Sequence, residues 1–182
     1  ADFNGDSYPD LFLTMSEAPD QVWMNDGSGS FTNSRQALGS SVGVEDPVTD
    51  DIDGDGDIDV VVTNPSEGIM VWLNENNTGT FVAAGDYFGN SAYTGDLCDV
   101  NLDGSVDLIA RNTGDAAPEL WLNDGAGGFA SLGAIFGDLE RSLRLTCGDL
   151  DGDGDPDVVL GKQEEAGGNP VYFNQHVRNR RD

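Results

Sequence analysis

The sequence predicts an all-β chain of four like units with about four short strands each, and three recurring features predict it. An acid-rich loop returns with its first Asp at 2, 51, 99 and 149, in steps of 49, 48 and 50 residues. A short apolar run follows each loop. A second strand ending in an aromatic, one further residue and Asn then leads into a polar turn closed by Phe. Four short strands in a period near 50 residues describe a propeller blade. The expected fold is therefore a β-propeller of four-stranded blades forming one domain over 1–182, with repeats at about 1–47, 48–95, 96–145 and 146–182.

The loops come first in each unit. Asp149-Leu150-Asp151-Gly152-Asp153-Gly154-Asp155-Pro156-Asp157 puts a carboxylate at every second position, and Asp51 to Asp59 repeats it with Asp51, Asp53, Asp55, Asp57 and Asp59. The third loop carries Asp99, Asn101, Asp103, Ser105 and Asp107, and the first Asp2, Asn4, Asp6, Tyr8 and Asp10. Like charges so close repel, and no Lys or Arg lies inside these stretches to relieve them. A hard cation removes the repulsion. Ca²⁺ suits such a loop, because it takes about six to eight oxygens in flexible geometry, whereas Mg²⁺ demands a strict octahedron and keeps its waters.

The expectation is one structural Ca²⁺ per loop, about four in all. Places one, three, five and nine would give side-chain oxygens, and the seventh residue (Tyr8, Asp57, Ser105 or Asp155) would give its backbone carbonyl. An EF-hand is excluded, since its twelfth place needs a bidentate Glu and helical flanks. Here the twelfth places are Leu13, Val62, Ala110 and Leu160, inside apolar runs.

The strands follow in order. Leu11-Phe12-Leu13, Val60-Val61-Val62, Leu108-Ile109-Ala110 and Val158-Val159-Leu160 have strand length and composition and are expected to be buried. Trp23, Trp72, Trp121 and Tyr172 mark the second strand, as repeated core positions between blades. The turns Asn25-Asp26-Gly27 and Asn123-Asp124-Gly125 accept positive φ and make hairpins, so a third strand begins at Phe31, Phe81 or Phe129. A fourth strand, such as Pro47 to Asp50 or Leu143 to Thr146, leads into the next loop. No amphipathic helix is expected.

Charge and cysteine usage bound the setting. The formal charge is −26, with 34 acidic residues against 8 Lys plus Arg, which argues against nucleic acid or an anionic membrane surface as partner. The loops hold 16 of those acids, so they explain much of the imbalance. No apolar run reaches the length of a membrane helix. Cys98 and Cys147 lie just before the third and fourth loops, at the ends of strands in neighbouring repeats. They are either a disulfide or two buried thiols. Calcium sites of micromolar to millimolar affinity make sense mainly outside the cell, which points to a secreted or surface protein.

These residues resemble the FG-GAP or VCBS-type repeats of calcium-binding β-propellers, as found in integrin α-subunit heads, some fungal lectins and many bacterial surface proteins. The resemblance spans all four units through the Asp-x-Asp/Asn-x-Asp-Gly-x-x-Asp loop and the Trp-x-Asn-Asp-Gly-x-Gly-x-Phe hairpin. It implies that each loop joins the innermost strand of a blade to the next and that its metal is structural. Three departures stand out: Ser7 in place of the sixth-place Gly, a hairpin lengthened by Glu75-Asn76-Asn77-Thr78, and a fourth unit that ends at its second strand. The first unit also lacks a leading strand, so the chain is expected to be either part of a longer one or completed at an edge by strand addition from another copy.

Catalysis has little to stand on. His176 is the only His and sits beside Arg178, Arg180 and Arg181 in a polar tail. No Ser-His-Asp or Cys-His set can be drawn without it. The expectation is a binding, adhesion or assembly module whose ligand is a protein, a glycan or another copy of itself. The alternatives are a filament subunit and the non-catalytic propeller of a polysaccharide-acting enzyme. Asn76-Asn77-Thr78 is also a glycosylation sequon at a hairpin tip.

Overall fold

A computed structural model describes residues 1–39, 46–89, 92–112, 116–134, 142–162 and 169–174. The tail with His176, Arg178, Arg180 and Arg181 lies outside the described residues. Among the described residues there is no helix, and the strands form four antiparallel sheets.

The first sheet contains β1 (Leu11–Leu13), β2 (Gln21–Asn25) and β3 (Phe31–Asn33) in chain order. The second contains β4 (Asp46–Asp50), β5 (Asp59–Asn64), β6 (Gly68–Asn74) and β7 (Phe81–Ala83). The third contains β8 (Ala92–Cys98), β9 (Asp107–Asn112), β10 (Glu119–Asn123) and β11 (Phe129–Ala134), and the fourth β12 (Ser142–Gly148), β13 (Asp157–Lys162) and β14 (Val171–Tyr172). Each is an up-and-down meander, which short turns between sequential strands produce. Each acid-rich loop after the first bridges two paired strands of one sheet, Asp50 opposite Asp59, Cys98 opposite Asp107 and Gly148 opposite Asp157. Counted by sheet, a unit therefore begins at the strand before its loop, and divisions after 47, 95 and 145 fall inside β4, β8 and β12.

Period-two alternation builds the core. Val60 and Val62 face the first sheet in a cluster with Phe3, Val22, Leu38, Trp72 and Phe81, while Val61 between them faces the third sheet with Ile52, Ile69, Leu108 and Ala110. Ile109 in turn faces the fourth sheet with Leu120, Leu145 and Leu160. The marker aromatics look toward the preceding sheet: Trp72 and Trp121 pack there, as does Tyr172. Trp23 lies opposite Leu11 on a face that no described sheet covers.

That face corrects one expectation. Leu11-Phe12-Leu13 is not buried throughout, since Leu11 is 41% and Leu13 37% exposed and only Phe12 packs inward. A strand is buried on both faces only where sheets flank it on both sides, as they do β5 and β9.

β4, β8 and β12 lie side by side as the innermost strands. Cys98 and Cys147 form a disulfide between β8 and β12, with Cα atoms 6.4 Å apart. Beside it Asp96 accepts hydrogen bonds from the Thr146 hydroxyl (2.8 Å) and the Cys147 N–H (3.0 Å). Arg144 pairs with Asp46, so β12 is also tied to β4.

Candidate metal-binding loops

All four loops share one hydrogen-bonded skeleton. The first-place Asp accepts from the sixth-place N–H: Ser7 to Asp2 (2.8 Å), Gly56 to Asp51 (3.0 Å), Gly104 to Asp99 (2.9 Å) and Gly154 to Asp149 (3.1 Å). The third-place Asn4, Asp53, Asn101 and Asp151 accept from the fifth-place N–H. The fifth-place Asp6, Asp55, Asp103 and Asp153 accept from the seventh. Such successive side-chain-to-backbone turns compete well with other structure when Asp and Asn alternate. They wind the chain so that the odd-numbered side chains converge.

This winding needs positive φ at the fourth and sixth places. Glycine supplies it except at Ser7 (φ 71°) and Leu102 (φ 59°). Leu102 carries the greater strain, because a bulky side chain is disfavoured in the left-handed region.

Three carboxylates converge to metal-binding distance in two loops. Carboxylate oxygens of Asp51, Asp53 and Asp59 lie within 4.8 Å of one another, and so do those of Asp149, Asp151 and Asp153. Either cluster is able to hold a metal ion. In the first and third loops an amide replaces the third-place acid, and Asn4 and Asn101 donate to Asp6 (3.0 Å) and Asp103 (2.9 Å). The donor set still fits a hard cation: every side chain involved offers oxygen, and Asp2 Oδ1 is buried with no hydrogen-bond partner among the described residues.

Single carboxylates in the loops differ in their electrostatics. Asp53 is raised above the usual carboxylate range by burial and then by the charges of Asp55 and Asp51. Asp151, though exposed, is raised by partial desolvation and then by the charges of Asp153 and Asp157. Asp103 is instead lowered, by the Ser105 N–H and then the Asn101 side chain.

The ninth-place Asp does more than the sequence suggests. Asp10, Asp59, Asp107 and Asp157 are all buried. One oxygen of each accepts the N–H of the loop's second residue, as Ile52 does to Asp59 at 2.9 Å. The other accepts the N–H of the Asn that ends the second strand, as Asn74 does to Asp59 at 2.8 Å. Burial pushes Asp59 up to about 6, against these two bonds, and also raises Asp107.

That Asn is the residue sequence reasoning missed. Asn74 donates through Nδ2 to the Phe3 carbonyl, Asn123 to Ile52 and Asn174 to Val100, each at 2.8 Å and each across to the preceding sheet's loop. The second-place side chain enters the same junction, where Phe3 meets Phe81 edge-on at 5.2 Å and Ile52 is 1% exposed. Each of the first three loops is thus clipped to the next sheet by one amide and one apolar plug. The fixed spacing of aromatic, residue and Asn is the signal that points to it.

The seventh-place side chains reach their own hairpins. Asp57 accepts the Asn77 N–H, and the Tyr8 ring lies where a Cβ on Gly27 would be. Asp57 therefore turns away from its cluster. Asn76 sits exposed at that hairpin tip with φ 56°.

A family model for an FG-GAP-like repeat matches residues 2–62, 51–97 and 99–160. Among solved structures the chain is similar to an Agrocybe aegerita lectin that recognises non-reducing terminal N-acetylglucosamine, at 23% identity and a TM-score of 0.64, covering 96% of this chain and 51% of that one. It is also similar to the V. cholerae biofilm matrix protein Bap1, at 23% identity and a TM-score of 0.52, covering 88% of this chain and 23% of that one. The chain thus spans about half the length of the lectin it matches and less of the matrix protein. At these identities the likeness is one of fold. No curated protein matches the chain.

Proposed function

Because the chain belongs to the FG-GAP-like repeat family, we propose that it is an extracellular binding module of β-propeller type whose blades are locked by calcium, one structural Ca²⁺ in each of its four loops. The single observation that carries this reading is the coupling of the second, third and fourth acid-rich loops to inter-sheet clips. The buried ninth-place Asp belongs to the loop and simultaneously holds the Asn that reaches the neighbouring sheet. A cation that orders the loop therefore orders the junction between blades. Rigid loops lose less entropy when a partner docks, which favours recognition.

The ligand in this reading is a glycan or a protein, in keeping with a lectin and a matrix protein among the structures of similar fold. The disulfide and the exposed Asn76 sequon suit secretion. The metals serve structure, and the chain itself is not an enzyme. Metal analysis by native mass spectrometry, combined with thermal melts with and without chelator, tests the proposal. Four bound Ca²⁺ and a fold that melts on chelation are expected, and a metal-free chain with an unchanged melt would sink it.

One observation favours assembly as a second reading. The second-place residue is buried in the first two loops, yet Leu150 of the fourth is 54% exposed, and Asn25 of the first sheet clips only its own Pro9 carbonyl. These two half-junctions are complementary, so one copy's fourth sheet has the chemistry to meet another copy's first. Light scattering in calcium decides it: concentration-dependent growth supports assembly, and a constant monomer mass excludes it.

A further inference from the structure

The notch between the first and second sheets is sealed by one side chain. Gln36 donates through Nε2 to the Gly79 carbonyl (2.6 Å) and accepts the Phe81 N–H through Oε1 (2.7 Å). Nε2 also donates to Ser34 Oγ, at 3.1 Å. Phe81 is free to make this bond because the next rung of the ladder runs from Glu75 N–H to Thr80 O (2.7 Å), so Asn74 and Phe81 form a non-hydrogen-bonded pair. The Phe81 N–H therefore points to the outer edge of the sheet.

The third sheet repeats this closing rung on a hairpin one residue shorter. Asp124 N–H donates to Gly128 O (2.9 Å) beside the Asn123–Phe129 pair, which turns the Phe129 N–H outward in the same way. The partner from the preceding sheet is what differs. Leu38 and Phe88 make equivalent isolated bridges, to Asp20 and Ile69, so by count from the bridge Asp86 corresponds to Gln36 and Ala84 to Ser34, although Arg35 before Gln36 has φ 66° and Gly85 before Asp86 does not adopt a positive φ. A carboxylate has no proton to donate to a carbonyl. Among the described residues no side chain makes the corresponding pair of bonds to Gly127 and Phe129. A cavity of about 160 Å³ remains, lined by Val71, Asp86, Phe88, Gly127 and Phe129. Phe88 and Phe129 stack along it, centroids 5.7 Å apart.

We propose that this notch binds a primary carboxamide, the side chain of an Asn or Gln presented by a protein partner. Its C=O accepts the Phe129 N–H and one N–H donates to the Gly127 carbonyl, repeating what Gln36 does one sheet earlier. The second N–H, which Ser34 takes in the sealed notch, goes to the Asp86 carboxylate, and the two Phe rings receive the aliphatic stem. A primary amide can present C=O and N–H along one edge, whereas a trans secondary amide presents them on opposite edges. A carboxylate ligand lacks the donor and is repelled by Asp86. The inference rests on the reading of the chain as a binding module and adds the chemical class of what it binds.

The test is a titration of the calcium-loaded, ¹⁵N-labelled chain with propanamide, followed by amide resonances. The Phe129 resonance should shift saturably, and N-methylacetamide and propanoate should leave it in place. Asp86→Gln should fill the notch from within and cut the shift at least tenfold. Gln36→Ala should open the first notch and make Phe81 respond as well. A Phe129 resonance that does not saturate, that answers N-methylacetamide or N-acetylglucosamine equally, or that still shifts fully in Asp86→Gln overturns the proposal. The dispersion of the same spectrum reports the fold, so a well-dispersed spectrum without the shift rejects the carboxamide while leaving the calcium-locked module standing.

Discussion

The second and fourth loops each carry five Asp, whereas the first and third carry three with Asn at the third place. Both kinds wind identically, yet only the five-Asp loops gather three carboxylates within 4.8 Å. In the others the Asn amide donates to the fifth-place Asp and relieves part of the repulsion from within. The skeleton of the loop is therefore set by alternation of short oxygen-bearing side chains, while the need for a cation is set by how many of them are charged. The second and fourth loops are therefore expected to depend more on a metal than the first and third, where the amide softens the repulsion.

Removing the metal should have the largest effect. With free Ca²⁺ at 100 times Kd, each site contributes about 2.7 kcal/mol, so four sites together approach the whole stability of a typical domain. Chelation should unfold the chain or bring its melting point near ambient, read by circular dichroism. If the comparison holds, calcium should reoccupy the second and fourth loops first.

Cutting the clip comes next. Asp59→Ala leaves the N–H groups of Ile52 and Asn74 without an acceptor in a buried site, at about 1–3 kcal/mol for each. Denaturant titration at saturating calcium should show the loss, because the bonds do not involve the metal. A loss that extra calcium restores in full would make Asp59 a ligand and nothing more.

Exchanging the third-place residue tests the division itself. Asp53→Asn should weaken calcium at the second loop about tenfold, or about 1.4 kcal/mol, and Asn101→Asp should tighten the third by a similar factor. Calorimetry that finds no change in either would show that carboxylate number does not set affinity here. The smallest expected effect is at the strained fourth place, where Leu102→Gly should stabilise the chain by about 1 kcal/mol in a thermal melt.

The pH dependence carries a sign. In the metal-free chain Asp59 lies at about 6 against an ordinary 3.8, raised mainly by burial. The folded state then holds this proton more tightly than the unfolded one, so the contribution of Asp59 to stability is fully present below about 4 and is lost as pH rises through about 6. Calcium reverses the slope, since its ligands must be deprotonated. Melts across that window with and without chelator should cross.

The repeat, its period, the strand order within a unit and the residues of the acid-rich loops were all legible in the chain. Each rests on local chemistry: alternating Asp and Asn wind a turn, and β-branched runs between turns make strands. The clip from Asn74, Asn123 and Asn174, the exposure of Leu11 and Leu13 and the open notch at Asp86 were not legible, and the sequence left open whether Cys98 and Cys147 pair or stay as thiols. Each is a contact between sheets, where the partner is some 50 to 70 residues away and the outcome depends on which faces are covered. Local sequence determined the blade and its loops. Only the packing of one blade on another decided which polar groups met a partner and which were left to a cation or a ligand.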